Sequence, residues 1–501
     1  MKNQFGIILN STLRVGAIAL LAFTSSLWAG TRQPGYPVPH VQGPTVPQSV
    51  APGGPDFTLT VYGANFIPGS VVNWNRQPRA TTYVSAHELQ ATILASDIAT
   101  NTAGMITVTT ESPDGPITSS TYFQVEVHEP EGTMGSTQEY VYSTISSLPG
   151  MVADLYNNNS LDIVGVQSGY KGSNVVGSLT NDREGVFYQG PKLTNKQYPY
   201  AYQGAFGDFD GNGYQDFLYV AGQGPQLKPL HLAISLNNGD GTFSPEPKLF
   251  GNFGLGAEDS PAVPDFVVGD FNQDGALDVV TVLGSDGYSL TFLGNGDATF
   301  AAPKMAYSGS SGAFVVGDFN GDGKLDILAA GISHQDTEWR FVLTTGNGDG
   351  TFQSPRTLAT FPYPNDGVLF TPTFYMNDFN NDGNLDIAFG NAAGQIGIML
   401  GNGDGTFQPA VYYTVGDLTY FTFTIGDFNS DGNTDLLVQQ SATGDTSLSI
   451  LLGNGDGTFQ SPQVLLPSGL LPEVVFMPGD FNNDGLLDLS APSYDNIYLQ
   501  Q

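Results

Sequence analysis

Short runs in which apolar and polar residues alternate dominate the chain, and the spacing expected of an amphipathic helix does not replace them over any long stretch. Between residues 48 and 127 the runs are Phe57-Leu59-Val61, Val71-Val72-Asn73-Trp74, Leu89-Ala91-Ile93, Met105 to Thr109, and Phe123-Val125-Val127, separated by turn-rich phrases such as GANFIPGS and ESPDGPITSS. Short strands at this density predict a β-sandwich of immunoglobulin-like type, with Trp74 in its core. Residues 30–47 carry Pro34, Pro37, Pro39, Pro44 and Pro47, which predicts an extended spacer. HEPEGTMGST at 128–137 reads as a second linker.

From 138 to 501 the pattern repeats. The phrase D-F-[ND]-x-[DN]-G-x-x-D starts at Asp208, Asp270, Asp318, Asp378, Asp427 and Asp480, and a worn copy, DLYNNNSLD, starts at Asp154. Between these loops lies a second phrase, seen as GNGDGTF ending at Phe352, Phe407 and Phe459 and with small changes at Phe243 and Phe300. Each unit of about 50 residues holds four strand-like stretches, as in Ala313–Gly317, Leu325–Ala330, Arg340–Thr344 and Thr351–Leu358. That period excludes nine-residue calcium β-rolls and predicts an all-β chain whose larger part is a seven-bladed β-propeller. The last unit shows only three strands, ending at Asn496 to Gln500, so Glu139 to Ser146 is expected to complete it and close the ring.

Charge narrows the partners. Against 48 Asp+Glu there are 15 Lys+Arg, a net charge of -33, so nucleic acid is excluded as a partner because phosphate neutralisation needs clustered basic residues. There are no cysteines, which removes disulfides, thiolate metal sites and a cysteine nucleophile. Residues 1–29, with Lys2 and Arg14 before the apolar run Val15 to Ala22 and a Leu27-Trp28-Ala29 end, have the layout of a signal peptide. The mature chain is therefore expected to be secreted or on the cell surface, with no transmembrane span.

Positions 1, 3, 5 and 9 of each intact loop offer oxygen ligands, position 7 can offer its carbonyl, and Gly at position 6 permits the turn that gathers them. The candidate ligands are Asp208, Asp210, Asn212, Asp216; Asp270, Asn272, Asp274, Asp278; Asp318, Asn320, Asp322, Asp326; Asp378, Asn380, Asp382, Asp386; Asp427, Asn429, Asp431, Asp435; and Asp480, Asn482, Asp484, Asp488. Hard oxygens without His or Cys suit calcium. An EF-hand does not fit, because its twelfth position is Tyr219, Thr281, Ala329, Phe389, Val438 or Ala491. The first loop has Tyr156 at position 3 and Asn159 at position 6, which leaves its site open.

These loops resemble the FG-GAP repeats of integrin α-subunits and the related bacterial VCBS repeats across residues 138–501. The resemblance implies Ca2+ at about six sites, held by the loop residues just named. FTLTVYGANFIPGSVVNW and ELQATI resemble an IPT/TIG domain. GNGDGTF reads as a glycine-rich hairpin turn followed by a packed Phe.

Loops joining strands one to two and three to four share one face of a propeller, so the acidic loops and GNGDGTF turns are expected together. The loops of the other face differ between units and carry Tyr198, Tyr200, Tyr202 and Trp339, candidate anchors for a ligand. No G-x-S-x-G, H-E-x-x-H or P-loop occurs, and five scattered histidines suggest no triad. The chain reads as an extracellular calcium-binding protein for adhesion or protein recognition and not as an enzyme. Two alternatives stay open: a carbohydrate-binding lectin, and a polysaccharide-cleaving enzyme, since the many carboxylates do not single out an acid pair. The partner is accordingly an extracellular protein or a glycan. With all six intact acidic loops beyond residue 200, calcium is expected to stabilise the propeller and leave the sandwich unaffected.

Overall fold

The computed structural model describes residues 35–501 apart from 120, 135–136, 142–150, 169–173, 183–185, 193–199, 223–229, 253–265, 284–287, 308–310, 333–337, 363–373, 392, 416–419, 443–444, 467–475 and 492–495. The signal-peptide expectation at 1–29 lies outside the described residues. Every regular element among the described residues is a β-strand, and among the same residues no helix is long and apolar enough to cross a membrane.

Two sheets form the N-terminal unit. One contains His40–Val46, Phe57–Ala64, Glu88–Ile93 and Thr81–Tyr83 in that order; the other is built around Phe123–Val127, Thr102–Ser112 and Val71–Trp74. Val41, Leu59, Val61, Leu89 and Ile93 of the first meet Val72, Trp74, Ile106, Val108 and Val125 of the second in one buried core. Period-2 alternation explains it: Leu59 and Val61 point inward while Thr58 and Thr60 face away.

The spacer expected over 30–47 is corrected here. His40–Val46 is a strand, paired antiparallel with Phe57–Ala64, and its residues are largely buried. Prolines misled the sequence reading because an edge strand tolerates them, and Pro44 falls at a register shift between Gln42 and Val46.

Beyond the sandwich, seven antiparallel four-stranded sheets follow in chain order. The first comprises Met151–Ala153, Asp162–Ser168, Asn174–Asn181 and Phe187–Lys192; the second Tyr200–Gly207, Asp216–Gly222, Leu230–Ser235 and Lys248–Asn252. The third runs from Phe266–Gly269 to Lys304–Tyr307, the fourth from Ser311–Gly317 to Arg356–Pro362, the fifth from Phe374–Asn377 to Val411–Thr414, and the sixth from Tyr420–Gly426 to Gln463–Leu466. In the seventh, Met477–Gly479, Asp488–Ala491 and Asn496–Gln500 are joined by Thr137–Val141, with Thr137 opposite Gln500 and Val141 opposite Asn496. The completing strand therefore starts inside the segment expected to be a linker; the part of the expected strand beyond Val141 lies outside the described residues, apart from which the pairing is the one expected. The architecture is that of β-propeller-like blades.

His40 is buried, with its Nδ1 lacking a partner, and burial pulls the imidazole down to about 4. The folded chain holds this ring neutral while the unfolded chain charges it below about 6.5, so unfolding takes up a proton and stability falls as pH drops from about 6.5 towards 4. Between pH 7 and pH 5 the wild type should lose about 2 kcal/mol more unfolding free energy than His40→Gln. Denaturant titrations at the two pH values measure this; equal losses would show that the ring is not held neutral.

Candidate metal centres

Each acidic loop leaves the innermost strand of its sheet and returns as the second. Its first aspartate turns back over the loop and accepts backbone N–H bonds from the fifth and sixth residues. Asp274 and Gly275 donate to Asp270 at 3.1 and 2.8 Å, Asp322 and Gly323 to Asp318 at 3.1 and 2.7 Å, and Asp382 and Gly383 to Asp378 at 3.0 and 2.7 Å. The same pair of bonds recurs on Asp208, Asp427 and Asp480. At position 3 the amides of Asn272, Asn380, Asn429 and Asn482 donate to the aspartate at position 5, which gathers these side chains. In the second sheet, where position 3 is an acid, one oxygen each of Asp208, Asp210 and Asp216 lies within 4.8 Å of the others. Among the described residues no other three acidic side chains close to that distance.

The ninth residue has a second duty that spacing did not reveal. Asp326 accepts the Phe319 N–H on Oδ2 at 3.2 Å and the Gly346 N–H on Oδ1 at 2.8 Å, tying the acidic loop to the glycine-rich turn of the same sheet. Asp216 does this with Phe209 and Asn237, Asp278 with Phe271 and Gly294, Asp386 with Phe379 and Gly401, Asp435 with Phe428 and Gly453, and Asp488 with Phe481 and Gln500. Even the worn loop keeps it, through Asp162 with Leu155 and Asn181. In the second to sixth sheets the acidic loop and the glycine-rich turn therefore lie at one end, as expected.

A further set of bonds joins neighbouring sheets. The carbonyl of the loop's second residue accepts from the next sheet: Leu155 from Asn237 Nδ2, Phe209 from Ala298 N, Phe271 from Gly350 N, Phe319 from Gly405 N, Phe379 from Gly457 N, Phe428 from Gln500 Nε2, and Phe481 from Asn181 Nδ2. The series returns from the seventh sheet to the first. Beside it, the Phe of the glycine-rich turn packs on the loop Phe of the preceding sheet, as in Phe271 with Phe352 at 5.6 Å and Phe379 with Phe459 at 5.8 Å between ring centroids.

Burial raises the ninth-position carboxyls against the lowering effect of their backbone N–H partners: Asp216, Asp278 and Asp386 to about 8 and Asp326 to about 7. Asp270 and Asp480 at position 1 rise to about 7 for the same reason. A bound cation supplies the positive charge that keeps such groups ionised, and the donor set of carboxylate and amide oxygens suits a hard one. The Asp208, Asp210, Asp216 group fits such an ion by proximity.

The sandwich sits directly on these loops, which the sequence did not disclose. The Val38 N–H donates to Asp270 Oδ2 at 2.8 Å, and Asn65 Nδ2 donates to the Asp270 carbonyl at 2.9 Å. His87 Nδ1 meets Asp318 Oδ2 at 3.0 Å while its Nε2 meets the Gly383 carbonyl at 3.1 Å, bridging two loops. Thr434 Oγ1 donates to Gln48 Oε1, the Asp480 N–H to Gln124 Oε1, and Arg76 to Asp154. Gly323, at φ +77, faces Ala86 so closely that an added Cβ would lie 2.2 Å from the Ala86 Cβ. Glycine at position 6 thus serves both the left-handed turn and the approach of the sandwich. Between the sandwich and the inner strands lies a cavity of about 630 Å³ lined by Phe123, Glu126, Met151, Met376 and Met477 among others.

The aromatic candidates divide. Tyr198 lies outside the described residues. Tyr200 and Tyr202 belong to a strand of the second sheet, paired with Gly222 and Val220, where loop positions were expected. Trp339 is likewise in a strand, Glu338–Thr344, half-buried against the Phe341 and Phe389 cluster. The structure does not gather these four into one described site.

Residues 208–281, 270–329 and 378–438 match the FG-GAP-like repeat family, so the chain carries FG-GAP-like repeats. No curated protein matches the chain. Among solved structures it is similar to an Agrocybe aegerita lectin described as recognising non-reducing terminal N-acetylglucosamine, at 18% identity and TM-score 0.48 over 86% of this chain and 98% of that one. It is similar to an auxiliary nutrient binding protein from Bacteroides ovatus, at 10% identity and TM-score 0.37 over 92% and 98% of the two chains. The NanB sialidase of Streptococcus pneumoniae aligns at 11% identity and TM-score 0.35 over 90% and 95%.

Replacing Asp326 with Asn removes one acceptor and points an amide donor at a backbone N–H, so it should cost about 2–3 kcal/mol even with a chelator present. Asp349→Asn, at an exposed turn carboxylate, should be near neutral. Chemical denaturation of both variants in EDTA measures the difference; an Asp326→Asn protein as stable as the parent would remove the bracket role.

Proposed function

We propose that the chain is an extracellular recognition scaffold, a seven-bladed FG-GAP propeller of the integrin-like kind, whose acidic loops take about six Ca2+ ions and carry an IPT/TIG-like sandwich. The reading rests foremost on the convergence of Asp208, Asp210 and Asp216 within 4.8 Å, in a loop type that recurs in five further sheets. Three carboxylates held together repel one another, and a divalent cation removes that repulsion. Asp, Asn and a backbone carbonyl are the oxygen donors calcium uses, and calcium tolerates their irregular arrangement.

Recognition is assigned to the end of the sheets away from these loops. The acidic end is occupied by the sandwich and by near-identical turns, whereas in the sequence the segments linking second to third strands and one sheet to the next differ in length and composition from unit to unit. A protein partner outside the cell is the reading favoured for that end. A glycan partner is the second reading, since the sequence around Tyr198, Tyr200 and Tyr202 is rich in tyrosine, a residue type whose flat ring suits a sugar face.

Because the sandwich bonds to the acidic loops, calcium should stabilise it together with the sheets. This replaces the expectation that the sandwich would be indifferent to calcium. Excess Ca2+ should raise the unfolding midpoint of the whole chain relative to EDTA, and Asp208→Asn should reduce that increment. Differential scanning calorimetry in both conditions tests this; identical midpoints would overturn the calcium assignment. A glycan array beside a panel of extracellular proteins tests the partner, and retention by glycans alone would favour the lectin reading.

A further inference from the structure

The first loop, Asp154 to Asp162, departs from the other six at the two positions that matter most for a metal ion. Tyr156 replaces the oxygen ligand at position 3, and it is packed against the core cluster that contains Leu155, Phe217 and Tyr219, with its ring so close to Gly241 of the second sheet's glycine-rich turn that a Cβ there would lie 2.1 Å from it. Asn159 replaces glycine at position 6 and adopts the same left-handed backbone, at φ 61. The turn is otherwise kept, since Asp154 accepts the Asn158 and Asn159 N–H groups at 2.8 Å each, like its counterparts. Asp154 is buried, so its charge needs a partner.

The sandwich supplies one. Arg76 Nη2 donates to Asp154 Oδ2 at 2.8 Å and to Asn157 Oδ1 at 2.6 Å, and Asn157 in turn donates to the Gly213 carbonyl in the neighbouring loop at 2.8 Å. Arg76 reaches out from the tight turn that joins Val71–Trp74 to Gln77–Pro78, where Asn75 and Arg76 both have positive φ, at 50 and 64. That turn is fastened to the sandwich by bonds between Asn75 and Met105 in both directions, so the guanidinium is presented from a fixed base. The Asp154 carboxylate is 3% exposed and Arg76 is 37% exposed, so the acid is enclosed and the cation covers it from the solvent side.

We propose that the guanidinium of Arg76 stands in the first loop as a built-in cation, so that this loop takes no metal ion and instead pins the sandwich to the first sheet. The guanidinium is charged at any accessible pH and binds through directed N–H groups, which suits a loop with two carboxylates, Asp154 and Asp162, where the intact loops have three. Loss of the position 3 ligand and gain of Arg76 are then two sides of one exchange: a site that has a protein cation needs fewer acids. The metal half of the proposal rests on the calcium reading of the other six loops, whereas the pinning half does not.

A double-mutant cycle of Arg76→Met and Asp154→Asn in the full chain, read as unfolding midpoints in EDTA, tests the pinning. Each single variant should lower the midpoint by about 2–4 °C, and the double variant by clearly less than the sum. Additive shifts would overturn the contact. Arg76→Lys keeps the charge but not the fork and should fall between wild type and Arg76→Met. Calcium stoichiometry by equilibrium dialysis tests the exchange: Asp154→Asn should leave the wild-type count unchanged while Asp318→Asn lowers it by one. A count that falls with Asp154→Asn overturns the exclusion of metal from the first loop. A wild-type count of zero overturns the calcium reading and, with it, the metal half; the EDTA cycle still decides the pinning.

Discussion

A buried carboxylate with a backbone N–H on each oxygen is the interaction on which this architecture turns. Asp326 and its equivalents join the acidic loop to the glycine-rich turn of the same sheet, and the joined pair then offers the carbonyl of its second residue to the next sheet. Backbone groups at the ends of short strands would otherwise be left without partners, which is costly wherever water is excluded. One side chain per sheet satisfies two of them. The ring-wide bond series follows from repeating that unit, and the paired Phe residues fill the space beneath it.

The same carboxylates set the charge problem. Seven acidic loops on one end of a chain with net charge -33 repel, and burial raises the carboxyls further. The sandwich contributes to the solution by placing His87 and Arg76 on Asp318 and Asp154 and the Val38 N–H on Asp270. It is therefore an integral cover of the acidic end and not a separate module on a tether. Its core resembles any two-sheet core, but its contact edge is polar and matched to loops of several different sheets.

Much of the repeating part was legible because each repeat states its own strands and turns. The strand completing the seventh sheet could be located by counting, although its start at Thr137 fell inside a presumed linker. Where the reading failed, the cause was long-range. Prolines at 44 and 47 say nothing about whether an edge strand will accept them, and the acidic loops give no sign that Val38, His87 and Arg76 lie against them, over a hundred residues away in some cases. The bracket role of the ninth aspartate was hidden for a different reason. Its spacing fits a metal ligand equally well, and only the positions of Phe319 N and Gly346 N separate the two duties. Trp339 looked like a loop residue because the strand that holds it begins just before it.

Native-state hydrogen exchange at the Phe271, Phe319, Gly346 and Gly401 amides tests the central claim most directly, because these N–H groups have a ninth-position aspartate as their acceptor. If the carboxylate brackets hold the sheets together, these amides exchange only through the largest opening, at rates equal to those of the central strand amides such as Leu328 and Ile387. Exchange as fast as that of exposed turn amides such as Asp349 would contradict the account.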